Sequence, residues 1–364
     1  MRVVFLWFGL VSWICVSSRP ASGFPEPSGS WEPRSYLCGR STGPLIVDGR
    51  LDEPDWQQAA WTEDFVDIEG ERRPAPRLRT RAKLLWDEAH LYVGAELEEP
   101  DIWGTYTARD AVIYHEPDFE IFIDPDGDTH AYYELEINAL NTVWDLLLLR
   151  PYRDGGPAVN AWDIAGLCTA VHIDGTLNQP GDEDRAWSVE IALPWAVLAE
   201  CAGRETPPRE GDCWRVNFSR VQYRTEIVAG RYRKLRDPGT GRDLPEDNWV
   251  WSPQGLVAMH YPEMWGFVRF TAASPAAAAA AAPWEIPEVE RRKWALRQVY
   301  YGQMRHREAF GAHAVALAEL GLTEAPLPGV PWPPSLQSTA SLWEAILTGP
   351  AGETLRITQD GRVW

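Results

Sequence analysis

Between Asp118 and Asn138 the sequence DFEIFIDPDGDTHAYYELEIN admits few backbone conformations. Phe119, Ile121 and Ile123 alternate with Asp118, Glu120, Phe122 and Asp124. Further on, Tyr133, Leu135 and Ile137 alternate with Tyr132, Glu134, Glu136 and Asn138. Side chains on a strand point to opposite faces with period two, so each run predicts a strand with one apolar and one acid-bearing face. Asp124-Pro125-Asp126-Gly127 has proline at the second turn position and glycine at the fourth, which predicts a type I turn. The pair is therefore a hairpin that sets Phe119 and Leu135 on a core and turns Glu120, Glu134, Glu136 and Asn138 the other way.

Further strands are predicted over 79–86, 91–98, 142–149, 167–173, 187–193, 214–221, 257–260 and 265–270, with an edge strand at 44–47. Most alternate, and Asp, Gly, Asn or Pro separates them. Many short strands with few long helical patterns predict an all-β fold, an antiparallel β-sandwich of jelly-roll or immunoglobulin-like type. This sandwich is expected over 44–271, after a Pro-, Ser- and Gly-rich spacer at 24–43. Seven alanines, 276–282, sit between Pro275 and Pro283 in an expected linker at 272–283, because an isolated run that short is a marginal helix. Residues 284–364 are expected to form a small α+β appendage, a helix followed by a β-hairpin.

Arg2, the apolar run 3–16 and Ala21-Ser22-Gly23 predict a signal peptide over 1–23 and a secreted or periplasmic protein. The run is shorter than the ~20 residues a membrane span needs, so no membrane association is expected after cleavage. Losing Cys15 leaves Cys38, Cys168, Cys201 and Cys213, an even set that permits disulfides in any of three pairings. A formal charge of −19 opposes binding to nucleic acid or anionic lipid and suits a polysaccharide or a divalent cation. No H-E-x-x-H or G-x-S-x-G pattern supports a zinc or serine hydrolase. With 20 tryptophans, aromatic platforms are available; Trp103, Tyr106, Trp144, Trp162 and Trp249 lie in or near predicted loops.

Asp48-Gly49 with Leu51-Asp52-Glu53 and Trp56, then Leu85-Trp86-Asp87, Leu91-Tyr92-Val93 and the run 118–124, resemble carbohydrate-binding module family 9. So does Trp251-Ser252-Pro253 followed by Trp265-Gly266-Phe267-Val268. Stand-alone secreted proteins of this type also share the Asp-Pro-Asp-Gly-Asp turn and Pro151-Tyr152-Arg153. The resemblance implies a β-sandwich whose loops and one sheet face form a slot for the end of a sugar chain, clasped by two tryptophans. It also implies structural calcium. Matched residue by residue, Glu120 takes the place of the family's acidic strand residue and Asn138 that of an amide on the partner strand. Tyr114 falls at the first tryptophan, Met259 near the second, and Glu136 at an arginine.

The expected function is non-catalytic carbohydrate binding, associated with polysaccharide breakdown. The ligand would be a polysaccharide or oligosaccharide held by Tyr114, Glu120, Glu134, Glu136, Asn138 and Met259. Loops carrying Trp103 and Trp249 would close the site, with Arg109 and Arg224 as hydroxyl donors. Asp124, Asp126 and Asp128 would place three oxygens on calcium, although Leu135 at the twelfth loop position excludes an EF-hand. Two alternatives remain open: a glycoside hydrolase using paired carboxylates among Glu120, Glu134 and Glu136, and a haem-binding electron-transfer sandwich with Met259 or His260 as axial ligand.

Overall fold

The computed structural model describes residues 23–364; the expected signal peptide, up to residue 22, and Cys15 lie outside the described residues. In chain order the first strands are β1 (Ser35–Arg40), β2 (Val66–Asp67), β3 (Thr80–Trp86), β4 (His90–Glu98), β5 (Asp118–Asp124) and β6 (Tyr132–Asn138). Next come β7 (Val143–Leu148), β8 (Ala158–Val159), β9 (Cys168–Asp174), β10 (Ala186–Pro194), β11 (Cys213–Gln222) and β12 (Thr225–Val228). The last are β13 (Arg231–Lys234), β14 (Asp247–Val250), β15 (Gly266–Phe270), β16 (Ser335–Ser338), β17 (Trp343–Thr348) and β18 (Thr354–Thr358). Four helices accompany them: α1 (Pro54–Gln58), α2 (Trp195–Leu198), α3 (Pro275–Ala279) and α4 (Glu288–Phe310).

Thirteen strands join in one sheet, ordered β8-β7-β6-β5-β11-β15-β1-β3-β4-β10-β9, with β14 on the flank of β11 and β2 beside it. β1 is the joint. Its Ser35 to Cys38 pair in parallel with Phe267 to Phe270, and its Gly39 and Arg40 pair in parallel with Leu85 and Trp86. One strand thus changes neighbours halfway, and the sheet curls until its two arms face each other. Phe119, Ile121, Leu135 and Ile137 from one arm meet Leu84, Val93, Val189 and Ile191 from the other in one core. Each such side chain contributes about 1.5–3 kcal/mol by leaving water. A net ~1 kcal/mol per hydrogen bond is smaller, so packing, more than the β1 hydrogen bonds, closes the arms.

The fold is therefore mainly β, but the expectation of a purely antiparallel sandwich is corrected to a continuous, curled, mixed sheet. The cause is β1, which lies inside the stretch read as spacer. Gly39 belongs there because α3 crosses it: a Cβ on Gly39 would sit 3.0 Å from the Pro275 Cα. The alanine run accordingly opens as one helical turn, capped by Ser274 and laid on the sheet. No strand forms at 257–260, where Ala258 N donates to Leu256 O and Tyr261 N to Met259 O in tight turns. None forms at 44–47 either.

The loop before α1 is pinned from below. Asp48 N and Gly49 N donate to one oxygen of the buried Glu190 carboxylate, and Trp56 Nε1 donates to the other. Gly49 has φ +88°, and a Cβ there would meet the His172 amide nitrogen at 2.7 Å. Gly49→Ala is expected to cost about 2 kcal/mol or more through left-handed strain and this clash, seen as a lower urea midpoint.

All four described cysteines are free thiols. Cys38 on β1 and Cys213 on β11 flank β15, which pairs with both strands. Two strand spacings, about 9.5 Å, exceed the ~7 Å a disulfide can bridge.

α4 ends at Gly311, in left-handed conformation, and carries Glu288 and Glu290 in its first turn, where the helix dipole favours acids. Its Leu296, Val299 and Tyr300 pack with Trp343, Ala345 and Leu347 of a three-stranded sheet, β16-β17-β18, where a hairpin was expected. The spacer is also engaged: Trp31 stacks on Trp294 with centroids 5.4 Å apart. Among the described residues no helix is long and apolar enough to cross a membrane.

Candidate functional site on the acidic hairpin face

The alternation read from β5 and β6 holds along both strands. Phe119, Ile121, Ile123, Tyr133, Leu135 and Ile137 enter the main core. The opposite face carries Phe122 and Tyr132, packed with Val250, Met259 and Trp265, and beside them the acids. Register sets Glu120 opposite Glu136 and Asp118 opposite Asn138. One oxygen from each of Asp118, Glu120 and Glu136 falls within 4.8 Å of the others. Glu136 accepts from Tyr114 N at 2.9 Å and Asp118 from Val221 N at 3.1 Å. Asp118 Oδ2 and Glu134 Oε2 are buried and have no hydrogen-bond partner.

Like charges directly opposite on neighbouring strands repel, and burial penalises each charge further. Burial pushes the Glu120 carboxyl up to about 7. Asp118, Glu134 and Glu136 are held well above the carboxylate range, by burial first and then by the charge of Glu120.

Two tyrosines stand at the rim. Tyr114 lies on a 3-10 turn, Ile113–His115, is 40 % exposed, and stacks on Trp144 with centroids 6.3 Å apart and planes at 22°. Tyr223 fixes that turn by donating to Tyr114 O at 2.8 Å. Tyr152 is 50 % exposed and its ring meets His260 edge-on at 4.4 Å. Its hydroxyl is pushed up to about 12 by partial burial and then by the charges of Glu134 and Glu136. The Tyr152 role was not assigned from sequence, although Pro151-Tyr152-Arg153 was the signal for it. His260 is neutral, pushed down to about 3 by burial and then by Arg153, and its Nδ1 lies 2.9 Å from the Tyr132 hydroxyl.

Other expected site residues are placed differently. Asn138 has no capacity left for a ligand: Nδ2 donates to Tyr106 O and Glu116 Oε1, and Oδ1 accepts from Leu140 N and Thr142 N. It builds the Tyr106 loop. Trp249 is on a strand, not in a loop, and sits in the main core with Arg77 and Arg220 over its ring. Trp103 is buried too. Both corrections have one cause, the large apolar area of indole. Met259 packs under Trp265, whose Nε1 donates to its carbonyl at 2.8 Å. Arg109 is spent on Asp145 and Asp163, while Arg224 is exposed and pairs with no acid among the described residues.

The hairpin turn has a different character. Asp124, Asp126 and Asp128 converge within 4.8 Å, yet Gly127 N and Thr129 N occupy the two Asp124 oxygens. Asp128 accepts from His130 N and from Arg362 Nε at 2.7 Å, while Lys293 Nζ caps the Asp126 and Gly127 carbonyls. The tail supplies the positive charges, and this donor set does not fit a bound calcium ion. The tail therefore covers the turn, while Tyr114 and Tyr152 stand beside Glu120, Glu134 and Glu136, which are each 5 % exposed or less.

A cleft of about 650 Å³ lies elsewhere, between residues 28–34 and 66–75. Its arginines are already engaged: Arg34 with Asp64 O, Arg72 with Gly255 O and Arg73 with Glu69. The hairpin face has no such internal compensation, and it is the candidate site.

Residues 47–147 match the family model described as carbohydrate family 9 binding domain-like, a segment that contains Tyr114 and all four acids. Three solved structures are similar at low identity. A candidate carbohydrate-binding protein from Bacteroides uniformis is 13% identical with TM-score 0.48, the match covering 66% of this chain and 100% of that one. A family 9 carbohydrate-binding module from Caldicellulosiruptor kristjanssonii in complex with cellotriose is 15% identical with TM-score 0.41, covering 70% and 100%. A module from the same organism in complex with glucose is 17% identical with TM-score 0.41, covering 65% and 97%. No curated protein matches the chain.

Proposed function

Starting from the carbohydrate family 9-like segment at 47–147, we propose that the chain is an exported, non-catalytic saccharide-binding protein that serves polysaccharide breakdown. Its ligand lies on the face of β5 and β6 between Tyr114 and Tyr152. The observation that carries this reading is an exposed aromatic ring, Tyr114 backed by Trp144, standing over Glu120, Glu134 and Glu136. A pyranose offers a C–H face to such a ring and hydroxyl donors to such acids, which is how a few placed polar groups orient a ligand in an aromatic-lined site.

The test is affinity electrophoresis against glucan, xylan and mannan, followed by calorimetry with oligomers of whichever retards the protein. Tyr114→Ala is expected to weaken binding by about 1–2 kcal/mol, roughly tenfold, by removing the stacking surface. A protein that none of the three glycans retards would end this reading.

A further inference from the structure

The floor beneath Tyr114 and Tyr152 is rich in acceptors and short of donors. Asp118, Glu120, Glu134 and Glu136 share it, and three of them approach within 4.8 Å. Their protein donors are the backbone amides of Tyr114 and Val221 and the buried Ser219 hydroxyl beside Glu120. No Lys, Arg or His forms an ion pair with any of the four among the described residues. Glu134 Oε2 and Asp118 Oδ2 are buried without a partner. Burying a carboxylate uncompensated is costly, and this chain compensates its acids elsewhere: at the turn of the same hairpin Lys293 and Arg362 do so. The uncompensated set is also the one with exposed aromatic rings at its mouth.

We propose that this site selects a saccharide bearing a primary amine, a deacetylated amino sugar, over the neutral sugar of the same shape; this rests on the saccharide-binding reading above. An ammonium group brings three donors and a full charge, and so favours the ionised form of acids that burial and their mutual repulsion otherwise hold protonated. Beside the Tyr114 ring it also gains cation–π attraction. A hydroxyl at the same ring position brings one donor and no charge. An N-acetyl group removes the charge and adds bulk.

Calorimetry on the full chain at neutral pH and physiological salt would compare a glucosamine oligomer, its N-acetylated counterpart and a cello-oligosaccharide of equal length. The glucosamine oligomer is expected to bind at least ~10-fold more tightly than the other two. Glu134→Gln, nearly isosteric, removes most of that preference, and Glu136→Gln serves as a second variant that keeps the oxygen facing Tyr114 N. Glu183→Gln, an exposed acid on the other arm, changes the total charge of −19 by the same amount and leaves the preference intact. Equal affinities for the glucosamine and cello oligomers overturn the amine selectivity and leave saccharide binding standing. So does a preference that Glu183→Gln lowers as much as Glu134→Gln. Calcium alone binding in a Glu134-dependent way makes the floor a metal site and likewise overturns it. Binding of none of the oligomers overturns the amine selectivity, and the saccharide-binding reading is then decided by the glucan, xylan and mannan test above.

Discussion

Replacing Glu263 with alanine is expected to lower the unfolding free energy by about 3–5 kcal/mol, the usual result of removing one partner from a buried ion pair. Arg153 Nη2 donates to Glu263 at 2.9 Å, the Tyr301 hydroxyl donates to its other oxygen, and Arg297 Nε lies 3.8 Å away. Both arginines are almost wholly inaccessible and would be left to share one acid, Asp154, which lies 3.3 Å from Arg153 Nε. The three stretches involved are remote in sequence: Arg153 follows β7, Glu263 precedes β15, and Arg297 and Tyr301 lie on α4. Calorimetry should show the melt falling by roughly 2–4 °C for each kcal/mol lost, the scale for domains of 150–250 residues. Burial would raise the Glu263 carboxyl, but Arg153 and Arg297 outweigh it and hold it down at about 2, against an ordinary 4.5. Its contribution is thus complete above 4.5 and is lost as pH falls from there through about 2. A variant melting within a degree of its parent would show that this network does not join tail to sheet.

Part of that architecture was legible in the sequence. β5 and β6 announce themselves because one face of each enters the apolar main core while the other, also buried, carries the acids, and that difference leaves a visible alternation. β1 does not. It pairs in parallel on both sides within six residues and must accommodate α3 at Gly39, so its pattern answers to three neighbours at once. The spacer and alanine reading failed for the same kind of reason: Trp31 and Pro275 are placed by tertiary partners that local composition does not encode. In α4 the buried set includes Arg292, Arg297 and Gln303, polar residues whose partners lie on other elements, so an apolar-stripe reading finds only part of the packed face.

The site divides in the same way. Glu120, Glu134 and Glu136 follow from period-two alternation, and Tyr114 from the family resemblance. Asn138 could not be assigned from strand position alone, because two of its four hydrogen bonds fix the turn after β6 and the other two run to Tyr106 and Glu116, in a segment whose course the sequence does not reveal. The turn aspartates carry a cation-site spacing, but the groups that neutralise them, Lys293 and Arg362, stand 167 and 234 residues away from their partners in the chain. Spacing showed which acids converge. It could not show what sits across from them.

Among the described residues no cation pairs with Glu134, which gives the hairpin face the opposite pH dependence to Glu263. The ionisable groups that face the four acids include the Tyr114, Tyr132, Tyr152 and Tyr223 hydroxyls, Glu116 and, beyond Tyr114, Glu246. Well below 3.8, the ordinary value for Asp118, the acids are protonated in folded and unfolded chains alike and no charge is buried. As pH rises from 4.5 towards about 7, the unfolded chain releases protons that Glu120 retains when folded, so stability falls across that window. Glu134→Gln removes one of the coupled charges and keeps the shape. It is expected to stabilise the protein by about 1–3 kcal/mol at pH 8 and to leave it unchanged at pH 4. Urea midpoints at the two pH values decide the matter: equal destabilisation at both would mean that Glu134 is held by structure and carries no charge penalty. A chain that retains such a penalty beneath exposed tyrosines is more stable with a donor-bearing ligand seated there. Ligand should therefore raise the urea midpoint of the unsubstituted protein more at pH 8 than at pH 4, because pH 8 lies above the value of about 7 to which the Glu120 carboxyl is raised and pH 4 lies below it.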